Sequence, residues 1–222
     1  MAEFKIIDIQ KRVYENNDSE AEKLRQELKE SKTFLMNLMS SPGSGKTTSV
    51  CATIDRLKDE FKIGVIEADI DSDVDAITVE KAGAKVVQLH SGGMCHLDAG
   101  MSRTGVEELQ GKELDFIILE NIGNLICPAG YDLGAVRNVM ILSVPEGDDK
   151  PLKYPKMFSK VDVLLISKID TVDYFNFDFD AVKERVTKLN PGIKVFPISA
   201  KYGDGMNEWV EYLRKEIIDW QK

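Results

Sequence analysis

The chain has 222 residues, 43% of them hydrophobic and 30% charged, with a net charge of −9. That length fills one ordinary domain whose core needs no staples. No apolar run approaches the roughly 18 residues of a membrane helix, and an acidic surface repels a phosphate backbone, which excludes nucleic acid as a partner. The opening residues, MAEFKIIDIQKRVYENND, lack a basic segment followed by an apolar block and a small-residue cleavage site, so a cytoplasmic location is expected. Thiols stay reduced there, and the odd set Cys51, Cys95 and Cys127 points to core, catalytic or metal-binding roles before disulfides.

From Asn17 to Lys32 the residues NDSEAEKLRQELKESK offer Asp18 and Ser19 as caps and Leu24 and Leu28 one turn apart. The apolar stripe is thin, which predicts either a solvated leading helix or an arm that packs on a partner. Residues 1–32 are accordingly set apart as an N-terminal helical arm from the domain of residues 33–222. Seven short runs rich in Val, Ile and Leu follow: TFLMNLM, KIGVIEA, AKVVQLH, LDFIILE, RNVMILSV, VDVLLIS and IKVFPIS. Each is too short for a helix and is read as a strand buried on both faces. Helical patterns lie between them: Val50, Ile54, Leu57 and Phe61 share one face, and Met206, Val210, Leu213, Ile217 and Trp220 share another. Strand and helix in alternation predict an α/β fold, a mainly parallel sheet with helices on both faces, with ligands gathered in the loops after the strands. The longest of these loops, NIGNLICPAGYDLG, follows Glu120.

Directly after the first strand comes SSPGSGKTT. Gly43, Ser44 and Gly45 let the backbone turn its N–H groups toward phosphates, Lys46 supplies a point charge, and Thr47, followed by Thr48, offers a hydroxyl to Mg²⁺ at a helix N-terminus. Ser40 stands where the usual pattern has its first Gly. Farther on, SKID ends a buried strand with Ser167, Lys168 and Asp170, and resembles the NKxD element of GTPases, whose Asp accepts hydrogen bonds from guanine. Ser199, Ala200 and Lys201 in PISAK match the GTPase loop that closes over the base. Glu120 and Gly123 occupy the place and spacing of the DxxG switch, the acid serving Mg²⁺ and the glycine the γ-phosphate. Asp69, Asp71, Asp73 and Asp75 crowd the loop after the second strand, and one or more of them, Asp75 among the candidates, is expected at magnesium or its waters. Together these elements predict a P-loop GTPase in which Lys46, Thr47 and Glu120 are catalytic and turnover is slow without a partner.

The rare residues Cys95 and His96 are neighbours, and Cys127 lies in the long loop seven residues beyond Glu120. Thiolate and imidazole suit Zn²⁺, Ni²⁺ or Cu, so a second metal site, distinct from the magnesium site, is expected. Three ligands leave it open, completed by water or shared across a symmetric interface. Cys51, beside Val50 and Ile54, reads as a core side chain, and His90 as an outer partner at most.

LMSSPGSGKTT, SGGMCHLDA, ENIGNLICPA and PISAK, in that order, resemble the HypB family of hydrogenase nickel-incorporation GTPases from about Thr33 onward. The resemblance implies a GTP-hydrolysing metallochaperone that dimerises with GTP or metal. It also implies nickel delivery during [NiFe]-hydrogenase maturation, with a small zinc-containing partner protein and the hydrogenase large subunit as recipient. Cys95, His96 and Cys127 match that family's ligands for Ni²⁺ or Zn²⁺. The amino-terminal Cys-rich motif and the His-rich tract of some members are not found here, and Ser167 replaces the usual Asn. Rival readings are a urease-type accessory GTPase, whose Cys-Pro-His motif is missing, an ATP-dependent small-molecule kinase, against which Asp170 argues, and a nucleotide switch with structural zinc.

Overall fold

The computed structural model describes residues 9–69, 74–90 and 92–222, with side chains left undescribed at 9–13, 69, 74 and 75. All seven expected strands form: β1 (Phe34–Ser40), β2 (Ile63–Asp69), β3 (Lys85–His90), β4 (Phe116–Glu120), β5 (Arg137–Ser143), β6 (Val163–Ser167) and β7 (Lys194–Pro197). They make one sheet in the order β3-β2-β4-β1-β5-β6-β7, with every pairing parallel. The helices are α1 (Ile9–Glu30), α2 (Lys46–Leu57), α3 (Val74–Ala82), α4 (Ala99–Glu108), the single turns α5 (Lys150–Lys153) and α6 (Pro155–Phe158), α7 (Phe179–Leu189) and α8 (Met206–Gln221).

Successive strand residues alternate between two separate apolar layers, as the period of a strand requires. Phe34, Met36 and Leu38 of β1, with Ile118 and Ile141, meet α2, α3 and α8 through Ile54, Val79 and Trp209. On the other face Leu35, Ile117 and Leu119 meet α1 and α4, while Met140, Leu142 and Leu164 meet α6 and α7. Buried Trp209 donates to Thr53 Oγ1 at 3.1 Å, which ties α8 to α2 by a satisfied polar contact inside the core.

Two expectations change. The strands are buried on both faces only in the interior of the sheet: β3 and β7 are its edges, and their residues are half-buried or exposed. The thin stripe of α1 is not solvated. Ala21, Leu24 and Leu28 are at most 2% exposed, and the two leucines form one cluster with Ile66 and Val106. Arg103 Nη1 reaches both Glu27 carboxylate oxygens at 2.8 Å, and Arg25 Nη2 forks onto Asp132 at 2.7 Å. A narrow stripe suffices because α4 supplies the other wall. Cys51 lies half-buried against the α2 side of the core, as expected.

Candidate nucleotide and thiol sites

Among the described residues, the loops at the carboxyl ends of the strands carry the nucleotide and metal candidates. At the centre, β1 runs into the glycine turn and then α2, whose N-terminal amides are open to an anion. Gly43 and Gly45 have φ of 73° and 95°, a left-handed region that side chains avoid. Lys46 Nζ donates to Ser40 Oγ at 3.0 Å, so the residue in place of the first glycine holds the phosphate lysine. Thr47 Oγ1 lies 3.4 Å from Glu120 Oε1, and Glu120 is only 4% exposed. A hydroxyl beside a buried carboxylate is a set of hard oxygen donors that fits Mg²⁺. Gly123 follows on the same loop, and a Cβ there would stand 3.1 Å from Pro42 N and 3.2 Å from Pro42 Cα. A larger residue here would crowd the backbone of the phosphate turn, which glycine avoids.

The base side is built by β6 and β7. Ser167 Oγ donates to Ser44 O at 2.7 Å in a buried bond, and Lys168, itself left-handed at φ 59°, donates through Nζ to Gly43 O at 2.7 Å. The serine that departs from the GTPase pattern thus ties the strand end to the phosphate turn. Asp170 is the second residue of the short helical turn Ile169–Tyr174, and Ser199 Oγ donates to its Oδ1 at 2.6 Å. Ser44, Gly45, Thr48, Asp170, Ala200 and Lys201 are among the residues around a cavity of about 230 Å³ at this position.

One residue escaped the sequence reading. Glu67 on β2 is the register partner of Glu120 on β4, and it too is 4% exposed. Two buried carboxylates side by side are costly unless hydrogen bonds or a cation compensate them. The signal was legible: Glu67 is the one charge inside the apolar run IGVIEA. Asp71 and Asp73 lie outside the described residues, as do the side chains of Asp69 and Asp75.

The thiols meet at the β3–β4 end of the same edge. Cys95 Sγ donates to Cys127 Sγ at 2.9 Å; both are free cysteines, Cys95 exposed and Cys127 half-buried. Their hydrogen bond, more than the slight burial, raises the Cys95 pKa above its ordinary value. His96 Nδ1 lies 3.7 Å from Cys95 Sγ. Asn124 Nδ2 donates to Cys95 O at 3.3 Å, so the loop after β4 also holds the backbone of the loop after β3. Among the described residues no three His, Cys, Asp or Glu side chains make a finished metal-holding group. Bonds of about 2.3 Å to sulfur and about 2.0 Å to nitrogen in a tetrahedral set separate two sulfurs by about 3.8 Å and sulfur from nitrogen by about 3.6 Å. The imidazole therefore already stands at the right distance from Cys95, while the sulfurs must part by just under 1 Å on this geometry. His90 is exposed at the end of β3.

A glycine-turned loop leading from a central parallel strand into a helix, flanked by lysine–aspartate and serine–alanine–lysine turns, defines a P-loop nucleotide-binding domain. The profile of the CobW/HypB/UreG nucleotide-binding domain matches residues 34–197. A relative from Azotobacter chroococcum mcd 1, named hydrogenase maturation factor HypB, is 40% identical over 97% of this chain and 71% of its own length. The crystal structure of HypB from Helicobacter pylori in complex with nickel superposes with a TM-score of 0.86 at 40% identity, covering 93% of this chain and 98% of that one. HypB from Archaeoglobus fulgidus superposes at 0.85 and 36% identity, covering 91% and 98%. The chain belongs to the CobW/HypB/UreG family, among its HypB members. Among the described residues no helix is long and apolar enough to cross a membrane.

Proposed function

We propose that this protein is a GTP-hydrolysing metallochaperone that takes up nickel, or zinc in its place, and delivers nickel during [NiFe]-hydrogenase maturation. One observation carries the reading. Two free thiols meet at 2.9 Å on the nucleotide edge of the sheet, and one of them is on the loop that leaves Glu120 and Gly123. A change in that loop on loss of the γ-phosphate pulls directly on Cys127.

In this reading the amides of Gly43, Ser44 and Gly45 and the Lys46 ammonium hold the phosphates, with Thr47 and Thr48 at the helix start. Thr47 and Glu120 would hold Mg²⁺, which when bound neutralises charge on the outer phosphates. Asp170 accepts from guanine, Ser199 fixes the Asp170 carboxylate, and Lys168, Ala200 and Lys201 line the base. Asp75, which the fold places in the first turn of α3 and not in the loop before it, joins the magnesium shell, and Gly123 senses the γ-phosphate. Cys95, His96 and Cys127 are the cargo ligands. The site's fourth position is open to water or to a second copy of the chain, and the recipients are a small zinc-containing maturation protein and the hydrogenase large subunit, in the cytoplasm. The names of the relatives support the assignment of substrate and pathway.

The test is a titration of Ni²⁺ and of Zn²⁺ into the GDP form and into the form with a non-hydrolysable GTP analogue. Nickel affinity is expected to differ by about 5- to 150-fold between the two, the span of ordinary coupling energies. Cys95→Ala or Cys127→Ala should each remove stoichiometric binding while leaving GTP hydrolysis at least partly intact. Equal affinity and metal content in both nucleotide states would reduce the site to structural zinc.

A further inference from the structure

Two aromatic contacts stand behind the thiols. The His96 ring lies on Tyr131 with centroids 4.0 Å apart and planes 17° from parallel. Tyr131 in turn meets Tyr14 of α1 at 5.1 Å and 52°. The second contact is close-packed: a Cβ on Gly130 would stand 3.1 Å from the Tyr14 hydroxyl, so a side chain before Tyr131 would press on that ring. Tyr131 N also donates to Pro128 O at 3.3 Å, closing the helical turn Pro128–Gly130 that Cys127 caps. Burial, more than the neighbouring Tyr14, raises the Tyr131 pKa, so the ring stays neutral. The loop after β4 therefore holds Cys127 by covalent connection and His96 by a stacked ring four residues later.

We propose that Tyr131 is the positioning residue that sets the His96 imidazole against Cys95 and makes it follow the loop after β4, with Tyr14 bracing the stack from α1. An unclamped histidine on a glycine-flanked exposed loop would sample several rotamers, and fixing it removes that entropy before the ion arrives. The stack also explains why His96 Nδ1 is at ligand distance from Cys95 Sγ while the sulfurs are still too close together. It gives the switch loop a grip on two of the three ligands instead of one, so nickel is loosened from two sides at once. This inference rests on the ligand set proposed above.

The test uses the full chain and Ni²⁺ alone as the probe, with Tyr131→Leu, which fills the space without stacking, and Tyr131→Phe, which keeps the ring. X-ray absorption of the nickel-loaded protein counts imidazole and sulfur neighbours, and titration gives affinity in the GDP and GTP-analogue forms. Tyr131→Leu should lose the imidazole shell, keep the sulfur shell, and bind nickel about 10- to 100-fold more weakly, the cost of removing a partner that orients a metal ligand. The affinity ratio between nucleotide states should shrink with it. Tyr131→Phe should behave as the parent, and nucleotide affinity reports that the fold is intact. An imidazole shell and parent affinity in Tyr131→Leu would overturn the proposal, as would a Tyr131→Phe as weak as Tyr131→Leu. Should Tyr131→Leu not fold, Tyr14→Leu loosens the same ring from α1 and is read in the same way. A parent protein without sulfur neighbours would sink the ligand set itself, whatever Tyr131 does.

Discussion

The nucleotide cradle and the thiol corner share one edge of one sheet and are built in opposite ways. Among the described residues the cradle is held by polar bonds within and between its turns: Lys46 to Ser40, Ser167 and Lys168 to the carbonyls of Ser44 and Gly43, Ser199 to Asp170. The thiol corner has a sulfur pair, a ring stack and one asparagine, with Met94 and Ile126 beside it 41% and 68% exposed. Fixed polar groups cost no reorganisation when charge arrives, which suits a ligand that returns unchanged in each cycle. A corner with few ties can change its grip, which suits an ion that has to leave.

The contrast can be broken by substitution. The largest effect should come from Lys46→Ala, which removes the point charge on the phosphates and is expected to cut single-turnover GTP hydrolysis by about 100-fold or more, with nickel still bound in the GDP form. A nickel site lost along with it would mean that the two regions are not separately built. Next, Asp170→Asn trades a charged acceptor for a neutral one, a loss of about 1.5–3 kcal/mol or roughly 10- to 150-fold in GTP affinity. Xanthosine triphosphate should then be bound in its place, and competition binding that leaves GTP unaffected removes the guanine assignment. The smallest effect belongs to Ser167→Ala, at about 0.5–1.5 kcal/mol for one neutral buried bond. Because that hydroxyl grips Ser44 O, the loss should fall on GDP and GTP alike; a base-selective loss, read with inosine nucleotides, would return Ser167 to direct contact with guanine.

The strands were legible because a central parallel strand must be apolar on both faces, and β1, β4, β5 and β6 are. The reading failed at the edges of the sheet, where Gln88 and Lys194 interrupt β3 and β7, and where burial depends on strand order, which a local pattern does not carry. It failed at α1 for a similar reason. Ala21, Leu24 and Leu28 form a stripe too narrow to stand out, and the wall that completes it, Val106 with Arg103, is about eighty positions away. The candidate residues could be picked out because loops after strands carry short, spaced polar sets. Their partners were not: Ser167 reads as a deficient asparagine until Ser44 O is beside it, Glu67 gains meaning only from its register with Glu120, and Tyr131 only from the plane of the His96 ring.

The strand order β3-β2-β4-β1-β5-β6-β7 has one more consequence. In the proposed assignment the loops for the base follow β6 and β7, those for the ion follow β3 and β4, and the phosphates would lie between them at the end of β1. Triphosphate and cargo would then approach the sheet edge from different sides of that central turn, and a recipient over the sulfurs would leave the purine side clear.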